Sequence, residues 1–179
     1  MDTGFDYKRF RPIGQNDETS CWAACLSWWL RALAGGRPFL SQNDLITRFD
    51  SMTEEDGTIS PDSFIKIAAT NEFQMQSASF SFDQVQEIKN TGLLPITDSP
   101  NIIVFSKFSL DMSSGGSGGQ FGLHMNVVFD QRGPDGAKIV TAMEPAFPSP
   151  GRDGHRTGKY IKPSISHFLS SSIILCCAL

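Results

Sequence analysis

The stretch Cys21 to Ala34 is apolar at every position except Ser27 and Arg31. A helix that is hydrophobic nearly all round has no face to show to water, so the rest of the domain has to cover it. Gly35-Gly36 follows and supplies the residue type that ends helices. Any fold for this chain is therefore built around one central helix that starts at Cys21. That first residue is also the chemically informative one. A cysteine in the first helical turn faces backbone N–H groups without intrahelical partners and the positive end of the helix dipole, both of which favour thiolate over thiol. Six residues upstream, in Gln15-Asn16-Asp17-Glu18-Thr19-Ser20-Cys21, stands Gln15. Its carboxamide can swing back beside the sulfur and donate to the oxyanion formed when that sulfur attacks a carbonyl.

The remaining elements are read from caps and periodicity. Ser41, with Asp44 in the first turn, opens a second helix carrying Leu45, Ile46 and Phe49. Ser60-Pro61, a cap followed by a first-turn proline, opens a third through Phe64, Ile65, Ile67 and Ala68. Ser81-Phe82-Asp83-Gln84 has the form of a capping box for a short helix ending near Gly92. Strand-like runs then take over at Ile102 to Phe108, Leu123 to Asp130 and Lys138 to Met143. Helices first and strands later predict an α+β fold. A length of 179 residues suits a single domain, 1–179, with a mainly helical half over 1–92 and a mainly β half over 93–179. The Gly/Ser-rich segment 113–122 is expected to be a flexible loop, either a surface excursion or a flap over a site.

Composition removes several function classes. A formal net charge of -4 with 19% charged residues gives no basic footprint for nucleic acid. No run of about 18 apolar residues is present, so no membrane span is expected. Met1 to Arg11 mixes charges with aromatics and has no apolar h-region. Four cysteines, two of them adjacent, do not form a disulfide framework, and a reactive thiol needs reducing surroundings. The expected location is the cytoplasm, or a target cell reached by a route that needs no signal peptide. Neither a metal nor another cofactor is expected, since Cys21, Cys25 and the histidines match no zinc-ligand spacing. Cys25, one turn after Cys21, reads as a small buried hydrophobe. Cys176-Cys177-Ala178-Leu179 fits the Cys-a-a-X pattern that would prenylate Cys176, but no polybasic run precedes it. The favoured alternative is an apolar strand, Ile173-Ile174-Leu175, packed on the domain.

A nucleophilic thiol needs an imidazole, and the chain offers His124, His155 and His167. His124 lies on a strand pattern in which His124, Asn126, Val128 and Asp130 share one face. A rigid strand can hold a ring in place, so His124 is the expected base. His155 sits in a polar loop and reads as a surface residue, and His167 reads as an ordinary, partly buried histidine. Arg132-Gly133-Pro134-Asp135-Gly136 is a strong turn signal. A hairpin centred on Pro134 would place Glu144 opposite His124, where its carboxylate can fix the tautomer. Asp130 is the fallback for that role, although six residues along a strand span roughly 20 Å.

Gln15 together with Ser20-Cys21-Trp22-Ala23 resembles the active-site signature of the papain-like cysteine peptidases, a glutamine six residues before a Ser-Cys-Trp-Ala run. Where plant and lysosomal members carry a second cysteine three residues before the nucleophile, this chain has Glu18. That difference and the short chain make it more similar to the compact bacterial branch, which includes bacteriocin leader peptidases and injected effector proteases. Asn43 to Phe73, with Gly57-Thr58-Ile59-Ser60, resembles the corresponding region of that branch. Glu144-Pro145 matches its Asp-Pro with Glu in place of Asp. The resemblance implies a papain-like fold, with a central catalytic helix packed against an antiparallel β half.

It also implies a catalytic set of Cys21, His124, Glu144 and Gln15, with Trp22 shielding the Cys–His pair at the substrate side. The expected function is a thiol peptidase acting on a protein or peptide, as an effector or toxin if the bacterial likeness holds, in which case an immunity protein or inhibitor is an expected partner. Two alternatives stay open. The same Cys–His site suits a deamidase, a transglutaminase or a peptidoglycan amidase, and the same fold could serve as a non-catalytic binding module.

Overall fold

The computed structural model describes residues 10–33, 40–73, 76–79, 102–109, 121–132, 139–147, 156–162 and 173–178. Within them the chain is α+β, with the helices preceding all strands of an antiparallel sheet. Three α-helices run over Cys21–Leu33 (α1), Gln42–Phe49 (α2) and Pro61–Ala68 (α3). The strands are Gln76–Ser79 (β1), Ile102–Ser109 (β2), Phe121–Arg132 (β3), Ile139–Glu144 (β4), Lys159–Ile161 (β5) and Ile173–Ala178 (β6). Their order across the sheet is β1-β6-β2-β3-β4-β5, and each pair of neighbours is antiparallel.

Helix α1 has the all-round burial its composition demands. Trp22, Ala23, Cys25, Leu26, Trp28 and Trp29 are buried, and they share one core with Leu45 and Phe49 of α2, Phe64 and Ile67 of α3, and Met125, Val127 and Met143 of the sheet. Each large apolar side chain removed from water contributes roughly 1.5–3 kcal/mol, so this helix is the main hydrophobic anchor of the domain. Two of its three indole nitrogens find partners, while that of Trp29 is buried without one among the described residues. Trp28 Nε1 donates to the Tyr160 hydroxyl at 3.3 Å, and that hydroxyl donates to the Phe10 carbonyl. Trp22 Nε1 donates to the Gly57 carbonyl at 3.2 Å. Gly57 has φ +82°, a left-handed conformation that glycine adopts without steric cost.

The helix starts follow their caps. Ser41 and Asp44 form a reciprocal capping box at α2, and Ser60 accepts from the Ser63 N–H in front of Pro61 at α3. Arg31 in the last turn of α1 is exposed, which accounts for the one charge in the apolar run.

Several expectations need adjustment. The short helix of 81–92, Gly35-Gly36, residues 113–120, His155 and His167 lie outside the described residues. Phe121 and Gly122, assigned above to the Gly/Ser loop, belong to β3, where they pair with Ser109 and Phe108. Strands β1 and β5 carried no clear strand signal; three or four residues are too short for a period of two to show. β1 also puts a strand of the sheet inside the segment expected to be mainly helical.

The β3–β4 register is shifted as well. Its described ladder ends at Arg132↔Ile139, so the turn is centred beyond Asp135 and not on Pro134, and a bulge between Val128 and Asp130 takes up one residue. Val127 therefore faces Met143, and continuing the ladder by one step puts Asn126, not His124, opposite Glu144. At the other edge, β6 is paired on both sides, with Cys176 opposite Ala78 and Ile102. That places Ile173-Ile174-Leu175 in a strand, as the strand alternative expects.

Candidate active site

The segment before α1 is folded by its own polar side chains. Asp17 Oδ1 accepts from the Thr19 N–H at 2.9 Å, the Thr19 hydroxyl at 3.1 Å and the Ser20 N–H at 2.7 Å, while the Asp17 N–H donates to Ser20 Oγ at 3.1 Å. Burial opposes the charge on Asp17, but the hydrogen bonds from Thr19 and Ser20 prevail and hold its carboxyl below the ordinary value. The Ser20 carbonyl accepts the first helical bond, from the Ala24 N–H at 3.1 Å. Cys21 is thus the first helical residue, placed where the sequence puts it. Its side chain is almost wholly covered, with 7% exposure.

His124 comes to this thiol from β3. Adjacent Met125 anchors the strand to α1, for Cys25 Sγ donates to the Met125 carbonyl at 3.3 Å. The strand alternation sends Met125 and Val127 into the core and turns His124 and Asn126 toward Glu144. His124 Nε2 lies 2.6 Å from Glu144 Oε1, and Cys21 is near enough to act on the charge of the same ring.

The electrostatics follow from these contacts. Burial works against a charged His124 ring, yet the hydrogen bond with Cys21 and the Glu144 carboxylate outweigh it and raise the pKa from 6.5 to about 10. Glu144 moves the other way. Burial would raise its pKa, but His124, Asn126 and the Ala146 N–H hold it below the ordinary carboxylate value. Cys25 is fully buried, and burial, followed by the negative charge of Cys21 and Glu144, pushes its thiol well up. Of the two thiols on α1, Cys25 is kept protonated as a core residue.

Gln15 is buried at 3% exposure beside the Asp17 turn. Its Nε2 donates to the Asp17 carbonyl at 2.6 Å and its backbone N–H donates to the Pro145 carbonyl at 2.9 Å. The second contact ties the glutamine to the residue that follows Glu144, so one short segment runs from its contact with Pro145 to the start of α1 at Cys21. A carboxamide nitrogen carries two hydrogens, and one remains for an oxyanion at Cys21. Trp22, the residue after Cys21, is 1% exposed and belongs to the core cluster.

Three contributors were not singled out in the sequence. Asn126 Nδ2 donates to Glu144 Oε2 at 2.8 Å and fixes the carboxylate from the side opposite His124. Its signal was present as a polar residue two positions from His124 on the same strand face. Gln42 and Arg156 hold the Gln15 segment through its backbone, with Arg156 Nη1 2.5 Å from the Asp17 carbonyl. Contacts from side chain to main chain across such separations leave no local pattern to read. Among the described residues, no group of three His, Cys, Asp or Glu side chains could hold a metal ion, and no helix is long and apolar enough to cross a membrane. The chain matches no protein-family model and no curated protein.

Proposed function

We propose that this protein is a papain-like cysteine peptidase with Cys21 as nucleophile, His124 as acid and base, Glu144 as the group that orients His124, and Gln15 as oxyanion donor. The observation that carries this reading is one imidazole held between two partners. His124 Nε2 lies 2.6 Å from the mostly covered Glu144 carboxylate, and the thiol at the start of α1 is near enough to favour the charged form of the same ring. That is the constellation a thiol nucleophile requires, with the base in reach of the sulfur and a third group fixing the base. The central buried helix packed on an antiparallel sheet suits the papain-like fold.

In the proposed reaction the Cys21 sulfur attacks a peptide carbonyl and forms a tetrahedral oxyanion. The Cys21 backbone N–H, free at the helix start, and the spare Gln15 hydrogen stabilise it. His124 gives its proton to the leaving amine, then takes one from the water that releases the acyl group. Glu144 stabilises the imidazolium between these steps.

Incubation with a proteome-derived peptide library and mass analysis of the products tests the reading. New termini that vanish with Cys21→Ala or His124→Ala support peptide cleavage. A one-dalton gain without cleavage would reassign the site to side-chain deamidation, and release of stem peptides from peptidoglycan would make it an amidase. A folded Cys21→Ala variant that cleaves like the parent would end the proposal.

A further inference from the structure

Gln42 makes an unusual pair of contacts with the oxyanion segment. Its Nε2 donates to the Gly14 carbonyl at 2.8 Å, and its Oε1 accepts from the Asn16 N–H at 3.2 Å. One side-chain amide thus grips the backbone on both sides of Gln15, as the edge of a neighbouring strand would. The grip comes from a rigid place. Gln42 is the first residue of α2, directly after Ser41, whose capping box with Asp44 fixes that turn. Leu45 and Phe49 bury the helix against the core, and Gln42 itself is 9% exposed. The segment has little freedom on its other side. A Cβ on Gly14 would lie 1.8 Å from the Arg156 carbonyl oxygen, so the backbone is pressed between Gln42 and residues 156–157.

We infer that Gln42 is the positioning residue for the oxyanion donor, holding Gln15 so that its free amide hydrogen faces the carbonyl attacked by Cys21. This inference rests on the peptidase reading for the roles of Cys21 and Gln15. The amide is required because the grip uses one donor and one acceptor. A carboxylate can accept from Asn16 but repels the Gly14 carbonyl, and an apolar side chain leaves both backbone groups without their partner.

Two small reagents separate oxyanion support from nucleophile strength. Iodoacetamide is attacked by the Cys21 sulfur at a saturated carbon, with iodide leaving, and no oxyanion forms. With p-nitrophenyl acetate the sulfur bonds to the acetyl carbon, the ester C–O bond breaks and p-nitrophenolate leaves, through a tetrahedral oxyanion. Gln42→Met is expected to alkylate at the parent's rate and to lose on the order of 10²-fold in the acylation burst, the size of effect expected when a catalytic group is displaced by about an ångström. Gln15→Ala should show the same split, and the double variant should fall no further. Gln42→Glu, of the same shape, provides the same measurement if the Met variant does not fold.

Acylation at the parent's rate in a folded Gln42 variant would overturn the inference. So would a parallel fall in both reactions, which marks a merely structural role, or losses that multiply in the double variant. If Cys21 of the parent protein neither alkylates in preference to Cys25 nor acylates, the peptidase reading itself fails and takes the Gln42 role with it.

Discussion

Glu144 reaches His124 diagonally across the β3–β4 ladder, with Oε1 2.6 Å from Nε2, while the position directly opposite Glu144 is occupied by Asn126. The register differs by two residues from a hairpin centred on Pro134, and a shift of two keeps the same face. The extra methylene of Glu over Asp suits the longer diagonal. Glu144→Gln keeps the shape but removes the charge that supports the imidazolium. Turnover is expected to fall by about 10²–10⁴. The alkaline limb of the rate profile should move to lower pH, since the carboxylate is one of the groups that raise the His124 pKa. A Glu144→Gln variant with the parent's rate and alkaline limb would remove Glu144 from the mechanism.

The same ring sets a pH dependence of stability. His124 titrates higher folded than unfolded, because its interactions with Cys21 and Glu144 outweigh the burial that opposes its charge. Above the unfolded value of 6.5 the folded state then binds more protons, so stability is fully present below that pH and declines as pH rises toward the folded pKa. The slope can reach at most about 1.4 kcal/mol per pH unit. Urea unfolding of the parent protein between neutral and alkaline pH measures it, and His124→Gln should flatten the curve. A flat curve in the parent would show that Cys21 and Glu144 do not charge the ring.

The position of Cys21 at a helix start and the burial of that helix were legible because each depends on local order. The apolar run fixes burial, and Ser20-Cys21 fixes the start. The α2 and α3 starts were equally plain, since Ser41 with Asp44 and Ser60 with Pro61 are caps within four residues. His124 was legible as the one histidine with a strand period around it. The exact β3–β4 register was not, because the bulge after Val128 has no glycine or proline to announce it. Asn126 and Gln42 became meaningful only once distant backbone and carboxylate groups were brought to them.

Asn126 is expected to act through Glu144 alone. It is buried at 1% exposure and gives Glu144 Oε2 its hydrogen bond. Asn126→Leu leaves that oxygen without this donor, at a cost of roughly 1.5–3 kcal/mol for a bond to a charged group. Asn126→Asp sets a second carboxylate beside the first, so one of them must take up a proton near neutral pH. Urea unfolding should show Asn126→Asp regaining stability as pH falls from neutral toward the carboxylate range. The parent should lack this gain, because its Glu144 contribution is already fully present above the unfolded value of 4.5 and is lost only as pH falls further, through the lower folded value. Parallel curves for the two proteins would show that Asn126 does not contact an ionised Glu144.

The two thiols of α1 should differ sharply toward electrophiles. Cys21 opens the helix beside His124, whereas Cys25 is fully buried, donates to the Met125 carbonyl and has its thiol pKa pushed well up. Iodoacetamide near neutral pH, followed by peptide mapping, is expected to modify Cys21 and leave Cys25 untouched until the protein is unfolded. In Cys21→Ser, Cys25 should stay unmodified, because burial is the largest cause of its raised pKa and the loss of Cys21 removes only the smaller charge effect. Equal labelling of Cys21 and Cys25 in the folded protein would mean that the first turn of α1 does not activate its thiol.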